Sequence, residues 1–457
     1  MATVQMKKKP VMQVQDMTEG NPIKLLLNFA IPLFIGNIFQ QIYSMVDTMV
    51  VGYQLGDSAI AAIGATSALY SLIIDFASGM NNGFGFVVTR CFGAHNERNF
   101  KQSIAGMLML NTSISVIITT IVLLFLRPLL EFLNTPEEIF EQAYLYIFII
   151  CAGMIGTVYY NMFAAILRAV GNSRSPLYFL MLSSILNIGL DVLFVITLQG
   201  GVAGAAIATV LAQAVSAILC GIYVVKNYRE ILPGREEFHI SKIMLTDLLT
   251  SGFSVALMYC VVDVGSVIFQ RANNALGEMI IAAHTAARRI IVMLMQPVGT
   301  LAMAYATFVG QNWGAGKVDR IQSTMKKVFG LEILWSIVAC AMIFAFGAVL
   351  VRFTTGVSNV EIVENAVLSM RLHLVFFPAL GILNCIRLSM QAMGYKMIPI
   401  ISSCIELCMK IFSANWMIPT LGFLGTCLTE PITWALMMIF LLTAYLLLRK
   451  KMFGERT

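Results

Sequence analysis

Long apolar segments follow one another along almost the whole sequence, and no other feature limits the possible fold as strongly. A helix needs about 20 predominantly apolar residues to cross the hydrocarbon core of a bilayer. Such segments can be placed twelve times, at residues 24–52, 59–89, 102–126, 140–167, 176–198, 202–225, 245–270, 279–309, 328–351, 362–390, 399–418 and 423–448. The sequence therefore predicts an all-α integral membrane protein with twelve transmembrane helices.

The composition argues against a soluble protein. Hydrophobic residues make up 58% of the 457 residues, charged residues make up 12%, and the mean hydropathy is +0.82. Because soluble domains carry about 25% charged residues, a chain this apolar needs lipid around it. The net charge of +6 follows from where the basic residues sit relative to the bilayer, so we expect a lipid bilayer and no nucleic acid as partner.

Cysteine and histidine usage does not indicate a metal site. The nine cysteines fall almost wholly within apolar segments, and the four histidines are scattered along the chain. No cysteine pair has metal-ligand spacing to a neighbouring histidine, and no nucleotide-binding loop is present. We therefore predict no metal centre and no cofactor, and we expect an H⁺ or Na⁺ gradient to supply the energy.

The distribution of lysine and arginine tests the helix count. If the N-terminus is cytoplasmic, 22 of the 30 basic residues fall in segments on the cytoplasmic side and only three fall in outer loops. A wrong number of helices would scramble this alternation, since basic residues collect on the cytoplasmic side of membrane proteins. Twelve helices with both termini cytoplasmic, in the inner (cytoplasmic) membrane, are predicted.

An internal repeat divides the chain into two halves. At an offset of 221 residues, three pairs of motifs coincide: Leu55-Gly56 with Leu276-Gly277, Gly93-Ala94 with Gly314-Ala315, and Gly201 and Gly204 with Gly422 and Gly425. Parallel repeats of this kind place a substrate cavity between two lobes, near the bilayer midplane. The predicted parts are a cytoplasmic N-terminal segment, a six-helix lobe, a cytoplasmic linker, a second six-helix lobe and a cytoplasmic tail, at residues 1–23, 24–225, 226–244, 245–448 and 449–457.

Two carboxylates stand out in the first lobe. Asp47 lies in the first segment, and Asp191 lies in the fifth, four residues after Asn187 and so on the same helix face. At about 1.5 Å per residue, Asp47, Asp191 and Thr209 all sit about 8–10 Å below the outer ends of their helices. Because carboxylate, amide and hydroxyl oxygens are hard ligands, these four residues are predicted to bind H⁺ or Na⁺. The alternative for Asn187 and Thr209 is a bond to the helix backbone alone.

A longer set of residues resembles the multidrug and toxic compound extrusion (MATE) family. It comprises Pro32…Gly36-Asn37…Gln40-Gln41…Tyr43…Val46-Asp47…Val51-Gly52, Ala61-Ala62…Gly79…Gly83…Phe92-Gly93-Ala94, Arg168-Ala169…Gly171-Asn172 and Asn187…Asp191. The resemblance covers nearly the whole chain, including its doubled six-helix architecture. The sequence is most similar to the prokaryotic branch that carries its cation site in the N-terminal lobe.

This resemblance implies a fold of the MATE type within the MOP superfamily, and an activity. The expected protein is not an enzyme but a monomeric antiporter, which exports small organic compounds, cationic or amphiphilic, in exchange for H⁺ or Na⁺. The resemblance assigns the cation site to Asp47, Asn187, Asp191 and Thr209. It also implies that Gln40, Tyr144 and Asn161 are polar residues of the substrate cavity.

Proline in the first segment suggests a point where that helix can bend. Pro32 removes one helix hydrogen bond and permits a kink. The kink is either part of the transport cycle or a purely structural feature.

The second lobe does not repeat the predicted cation site. The repeat places Ile268 opposite Asp47 and Ala414 near Asp191. The seventh segment does carry Asp263, and other members of the family have an acidic residue in that helix. Asp263 is therefore expected either to be a second coupling residue or to face the substrate cavity.

Other charged residues of the second lobe are expected to neutralise one another. Glu406 and Lys410 are four residues apart in the eleventh segment, with glutamate on the N-terminal side, which favours an ion pair. The remaining cations within the segments are expected to pair, to extend towards the interface, or to contact substrate; they are Arg288, Arg289, Arg371 and Arg387.

Three alternative functions were compared with the antiporter. A lipid-linked saccharide flippase of the same superfamily fold needs basic groups in its central cavity, and the first lobe has essentially none at mid-depth. An intramembrane aspartyl protease needs Tyr-Asp and Gly-x-Gly-Asp, but Asp47 follows Val46 and Asp191 follows Leu190. A channel fits poorly with two repeated lobes and no ring of charge. The flippase remains the nearest alternative.

Overall fold

A computed structural model describes residues 15–356 and 359–453. Within these ranges the chain is almost entirely helical, and no β-strand is present. The predicted N-terminal segment is covered only from Gln15 onwards and the predicted tail only as far as Phe453, so the rest of both lies outside the described residues.

Twelve membrane spans account for nearly all of the described chain. Ten are single helices long and apolar enough to cross a membrane, and two are bent pairs of helices. Spans 1 to 12 are Pro22–Leu55, Asp57–Gly93, Glu97–Phe132, Glu137–Ala152 with Met154–Ala169, Arg174–Thr197, Gly201–Asn227, Lys242–Asn274, Glu278–Gly314, Val318–Thr355, Val360–Val375 with Phe377–Met393, Met397–Leu421 and Phe423–Phe453. The predicted all-α fold with twelve spans is confirmed.

The irregularities of the helices repeat between the halves. Span 4 bends by 44° after Ala152, and span 10 bends by 49° after Val375. A π-helical turn covers Val192–Thr197 in span 5, and another covers Ser413–Met417 in span 11. We call spans 1–6 lobe 1 and spans 7–12 lobe 2, because the two sets share their breaks as well as their lengths.

Glycine makes the equivalent tight connections between the first two spans of each lobe. Gly56 has a φ of 78° and Gly277 has a φ of 95°. An L-residue with a side chain is strained in this region, whereas glycine enters it without steric cost. The sequence match at these two positions therefore reflects a shared backbone requirement.

The lobes meet most closely near one membrane face, at which span 1 begins and span 12 ends; we call it the terminal face. A methyl group added to Gly79 would lie 2.5 Å from the Cα atom of Ala256. Added methyl groups on Gly83 and Gly93 would overlap the backbones of Ser251 and Gln311. Glycine thus lets spans 2, 7 and 8 approach at backbone distance, which closes the lobes on this side.

The chain before span 1 crosses the junction between the lobes. Met17 is fully buried, and its N–H donates to Oε1 of Gln311 at 2.7 Å. The side-chain amide of Asn312 donates to the Met17 carbonyl at 3.1 Å, while the N–H of Gln15 donates to the Val170 carbonyl at 3.1 Å. Because Val170 belongs to lobe 1 and Gln311 to lobe 2, this segment ties the two lobes together.

An ion pair also joins the lobes at the terminal face. Nη2 of Arg90 in span 2 lies 2.7 Å from Oδ2 of Asp247 in span 7, and its Nη1 donates to the Ala392 carbonyl at 3.1 Å. Lys396 lies 2.7 Å from the other oxygen of Asp247. Asp247 therefore bridges a cation of lobe 1 and a cation of lobe 2.

Replacing Asp247 with asparagine is expected to loosen the closure at the terminal face. The change removes an ion pair between the lobes, and partly exposed pairs of this kind contribute up to about 1 kcal/mol. A loss of that size would raise the population of lobes separated at this face about fivefold. Distances between spin labels placed on the two lobes would measure the shift.

The matched control for this prediction is Glu97→Gln. Its pair with Lys101, at 2.6 Å, lies within span 3 alone, so its removal should leave the distance between the lobes unchanged. Equal shifts in both variants would contradict the assignment of Asp247 to lobe closure.

Candidate functional site

Four polar residues from spans 1, 5 and 6 form a cluster inside lobe 1. Asp191 is fully buried, and Asn187 is only 3% exposed. Nδ2 of Asn187 donates to Oγ1 of Thr209 at 3.5 Å, and Thr209 donates to the Ala205 carbonyl at 3.1 Å. Asp47 of span 1 lies beside Asp191. The structure therefore brings the four residues of the predicted cation site together.

Four oxygens of this cluster lack hydrogen-bond donors. Within the described part of the chain, Oδ1 of Asp47, Oδ1 of Asn187 and both carboxylate oxygens of Asp191 are buried without a partner. A buried polar group left unsatisfied costs about 1–3 kcal/mol, and more when it is charged. A proton or a Na⁺ ion between the two carboxyl groups would supply the missing interaction.

The helix geometry at Asp191 is repeated in lobe 2, but the acidic residue occurs in lobe 1 alone. Asp191 immediately precedes the π-helical turn of span 5, and Phe412 immediately precedes the equivalent turn of span 11. The matching turns place Phe412, two residues before Ala414, at the position of Asp191. Since both are apolar, lobe 2 has no acid at this position.

A central cavity of about 550 Å³ lies mainly within lobe 1. Among the residues predicted from sequence, Pro32, Gln40 and Asn161 line it. Tyr43 also lines it and sits one helical turn from Asp47, so the cavity leads towards the cation cluster. Span 1 runs as one α-helix through Pro32.

Tyr144 lies away from this cavity. Its ring packs beneath the guanidinium group of Arg127, with 5.3 Å between the guanidinium carbon and the ring centroid. Arg127 in turn pairs with Glu141 at 2.7 Å. The aromatic residues of lobe 1 that do line the cavity include Tyr43 and Tyr70.

Asp263 has an acidic neighbour in the other lobe. It sits beside Asp75 of span 2, which lines the central cavity. Asp75 is not among the residues predicted from sequence, although it is the only acidic residue in the predicted segment 59–89. An ionisable residue within a span is by itself a candidate for function, so a signal for Asp75 was present.

Arg168 is a further cavity residue, although it lies just beyond the predicted segment 140–167 and was counted among the basic residues on the cytoplasmic side. It belongs to the last turn of span 4 and lines the central cavity, where Nη2 donates to Oδ1 of Asn82 at 3.4 Å. The expectation was that lobe 1 has essentially no basic group at mid-depth. Arg168 lies at the end of span 4 and still reaches the cavity.

Three charged residues within lobe 2 form a paired cluster. Nζ of Lys410 lies 3.0 Å from Oε1 of Glu406, as their spacing predicted, and also donates to Oγ of Ser266 at 3.0 Å. Nη1 of Arg387 lies 3.8 Å from Glu406. Glu406 is thus held between two cations, an arrangement that lowers the cost of burying each charge.

A second cavity, of about 850 Å³, lies between the lobes in the half of the protein away from the terminal face. It is lined from lobe 1 by residues of span 1, including Gln41 and Met45, and from lobe 2 by spans 7, 8, 9 and 12. The lobes are therefore packed together at the terminal face and enclose open space beyond it.

The family model for MatE matches residues 32–193 and 254–416, one stretch in each lobe. The chain is 25% identical to YpnP of Bacillus subtilis, a probable multidrug resistance protein, over 81% of this chain and 82% of that protein. It is also 25% identical to NorM of Thermotoga maritima, another probable multidrug resistance protein, over 84% of this chain and 83% of that protein.

A solved structure supports the same fold. It is described as the outward-facing conformation of a multidrug resistance MATE family transporter of the MOP superfamily. The two structures superpose with a TM-score of 0.88 at 22% sequence identity, covering 98% of this chain and all of that one. With the family model matched in both lobes, the chain belongs to the MatE family and is a membrane transporter, not an enzyme.

Proposed function

We propose that this transporter exports small organic compounds in exchange for H⁺ or Na⁺. The observation that carries the proposal is the carboxyl pair of Asp47 and Asp191, whose buried oxygens lack donors in the described structure. The pair lies next to a cavity large enough for a small organic molecule. The names of the bacterial relatives, which refer to multidrug resistance and export, support this class of substrate.

Alternating access of the two lobes is the proposed mechanism. The lobes are closed at the terminal face and enclose a cavity in the opposite half. The excess of basic residues in the segments on the terminal face supports a cytoplasmic location for that face. We infer that the structure represents an outward-open state of a monomer in the cytoplasmic membrane.

Coupling requires the cation to bind the two states unequally. A cation between Asp47 and Asp191 would remove the repulsion between their carboxylates and let span 1 pack more closely against spans 5 and 6. Because Pro32 and Gln40 of span 1 line the central cavity, that movement would reduce the space for substrate. Substrate would then leave towards the outside, which is antiport.

A lipid-linked saccharide flippase is the second candidate. The observation in its favour is Arg168, which places a guanidinium group at the central cavity, where a pyrophosphate could bind. Against it, the acidic pair of Asp47 and Asp191 in the same lobe would repel such a group. We therefore favour export of small organic compounds.

The test is efflux of a fluorescent organic cation from proteoliposomes under separate pH and Na⁺ gradients. The proposal expects the dye to move only while one of the two gradients is imposed. Movement that ignores both gradients would contradict cation coupling, and transport of a lipid-linked saccharide without export of dye would favour the flippase.

Replacing Thr209 with alanine is expected to weaken export without abolishing it. The change removes one neutral oxygen next to the carboxyl pair, and a neutral hydrogen bond contributes about 1 kcal/mol. Coupled export should therefore need about a fivefold higher cation concentration. Dye efflux measured over a range of external H⁺ and Na⁺ concentrations would show this shift.

The control is Thr197→Ala, because Thr197 is exposed and donates only to the Val192 carbonyl of its own helix. Equal effects in the two variants would indicate that Thr209 stabilises its own helix and does not bind the cation.

A further inference from the structure

We propose that Arg288 and Arg289 form a subsite in lobe 2 for an anionic group, such as a carboxylate or phosphate, on the exported compound. This inference rests on the proposed export function and adds to its substrate class amphiphiles that carry an acidic group. Both arginines belong to span 8 and line the cavity between the lobes.

Arg288 is held in place by a largely buried carboxylate of span 12. Its Nη1 donates to both oxygens of Glu430 in span 12, at 2.7 and 2.6 Å. The Glu430 side chain is only 12% exposed, whereas the Arg288 side chain is 40% exposed. One nitrogen of the guanidinium group therefore binds Glu430, and the exposed remainder borders the cavity.

Glu430 has a second neighbour in lobe 2. Besides Arg288, Nε2 of His373 lies 3.5 Å from Oε2 of Glu430. Glu430 is also the only carboxylate among the described residues that line this cavity. The lining consequently has an excess of positive charge, which Arg289 supplies.

Arg289 is exposed and makes no ion pair with any carboxylate of the described chain. A cation within a span is costly unless it serves a partner or a pathway. Arginine presents its donors in a planar fork that matches the two oxygens of a carboxylate or phosphate. Both guanidinium groups line the same cavity, Arg288 held by Glu430 and Arg289 unpaired, and this lining is suited to such a group.

The facing wall is compatible with the rest of an amphiphilic molecule. From span 1 the cavity is lined by Gln41, Ser44, Met45 and Met49, none of which is charged. Both methionines are exposed large apolar side chains, at 52% and 45%, and methionine adapts readily to varied apolar shapes. An anion bound at Arg289 would therefore meet no carboxylate on this wall.

A matched pair of dyes tests the subsite: rhodamine B, whose carboxylate is free, and its ethyl ester. Binding to the purified full-length protein in phosphatidylcholine nanodiscs is measured by fluorescence polarisation at neutral pH. We expect the wild type to bind the acid more tightly than the ester. Arg289→Gln should lower affinity for the acid about tenfold, as loss of a charged hydrogen bond predicts, and leave affinity for the ester unchanged.

Two further variants sharpen the result. Arg289→Lys keeps the charge and should retain part of the preference for the acid. Arg271→Gln removes an exposed arginine at the end of span 7 that does not line the cavity, and it should change neither affinity. Arg288→Gln is less suitable, because it would leave Glu430 buried without its main partner.

Nanodiscs containing phosphatidylglycerol distinguish a soluble ligand from a lipid headgroup. If anionic lipid weakens binding of the acid in the wild type but not in Arg289→Gln, the headgroup competes for the same subsite, which supports it. Equal wild-type affinities for acid and ester in both lipids would overturn the proposal. So would an equal loss for both dyes in Arg289→Gln, since that outcome indicates an arginine extending to the interface.

Export of the ester is measured alongside in proteoliposomes. If the ester is pumped under an ion gradient while the preference for the acid is absent, the subsite is wrong and the proposed function stands. If neither dye is pumped but binding of the acid still depends on Arg289, the export function fails and the subsite is retained.

Discussion

Replacing Asp191 with asparagine is expected to abolish cation-coupled export while leaving the protein folded in the membrane. Asparagine has nearly the same shape but cannot take up a proton or carry the charge that holds Na⁺. Asp191 is fully buried, and neither of its oxygens has a donor in the described structure. The variant therefore removes a buried charge that has no hydrogen-bond donor. Asp47→Asn is expected to have the same effect, because the two carboxyl groups lie beside each other.

Dye efflux from proteoliposomes under imposed gradients is the measurement, and export should fall to the level of empty liposomes. Asp57→Asn is the matched control, since Asp57 is an exposed carboxylate at the first turn of span 2. If both site variants still pump against a gradient, the coupling site lies elsewhere, and Asp75 with Asp263 becomes the next candidate.

The spans and their pairing into lobes were predictable because a bilayer allows few solutions. Every backbone polar group must be satisfied within the lipid, so apolar segments of sufficient length become helices. The 221-residue repeat then reappears as structure: Gly56 and Gly277 adopt the same positive-φ conformation. The π-helical turns at Val192–Thr197 and Ser413–Met417 were not predictable, since no hydropathy signal marks them.

The cation cluster was also accessible from sequence, because helical rise alone sets the depth of a residue. Asp47, Asp191 and Thr209 were placed at one level on separate helices, and the structure brings them together with Asn187. Depth does not give the rotation of a helix about its axis. In a span that is apolar on all sides, pattern cannot tell a cavity face from a lipid face.

Two residues show the effect of not knowing the rotation of a helix about its axis. Tyr144 was assigned to the cavity but packs against Arg127, while Arg168 was assigned to a loop but lines the cavity. Contacts between the lobes were not predictable from the sequence either. Met17 lies in a short segment without periodicity, and its buried position depends on Gln311 and Asn312, almost 300 residues away.

Locking the lobes together at the terminal face is expected to stop transport completely. A Cβ atom built on Gly310 of span 8 would lie 3.3 Å from the Cβ atom of Thr89 in span 2. Disulfides join Cβ atoms about 3.5–4.5 Å apart, so Thr89→Cys with Gly310→Cys should cross-link after a small adjustment. The nine free cysteines are replaced first. Dye efflux is then measured before and after oxidation.

The reason for a complete effect is that alternating access requires these helices to separate in every cycle. The matched control is Gly85→Cys with Ala165→Cys, where the built Cβ atom lies 3.4 Å from that of Ala165 and both residues belong to lobe 1. Oxidation should leave this control active, and a reductant should restore the first variant. Full transport through the oxidised bond between Cys residues at 89 and 310 would mean that substrate crosses without separation of the lobes, and the alternating-access mechanism would have to be abandoned.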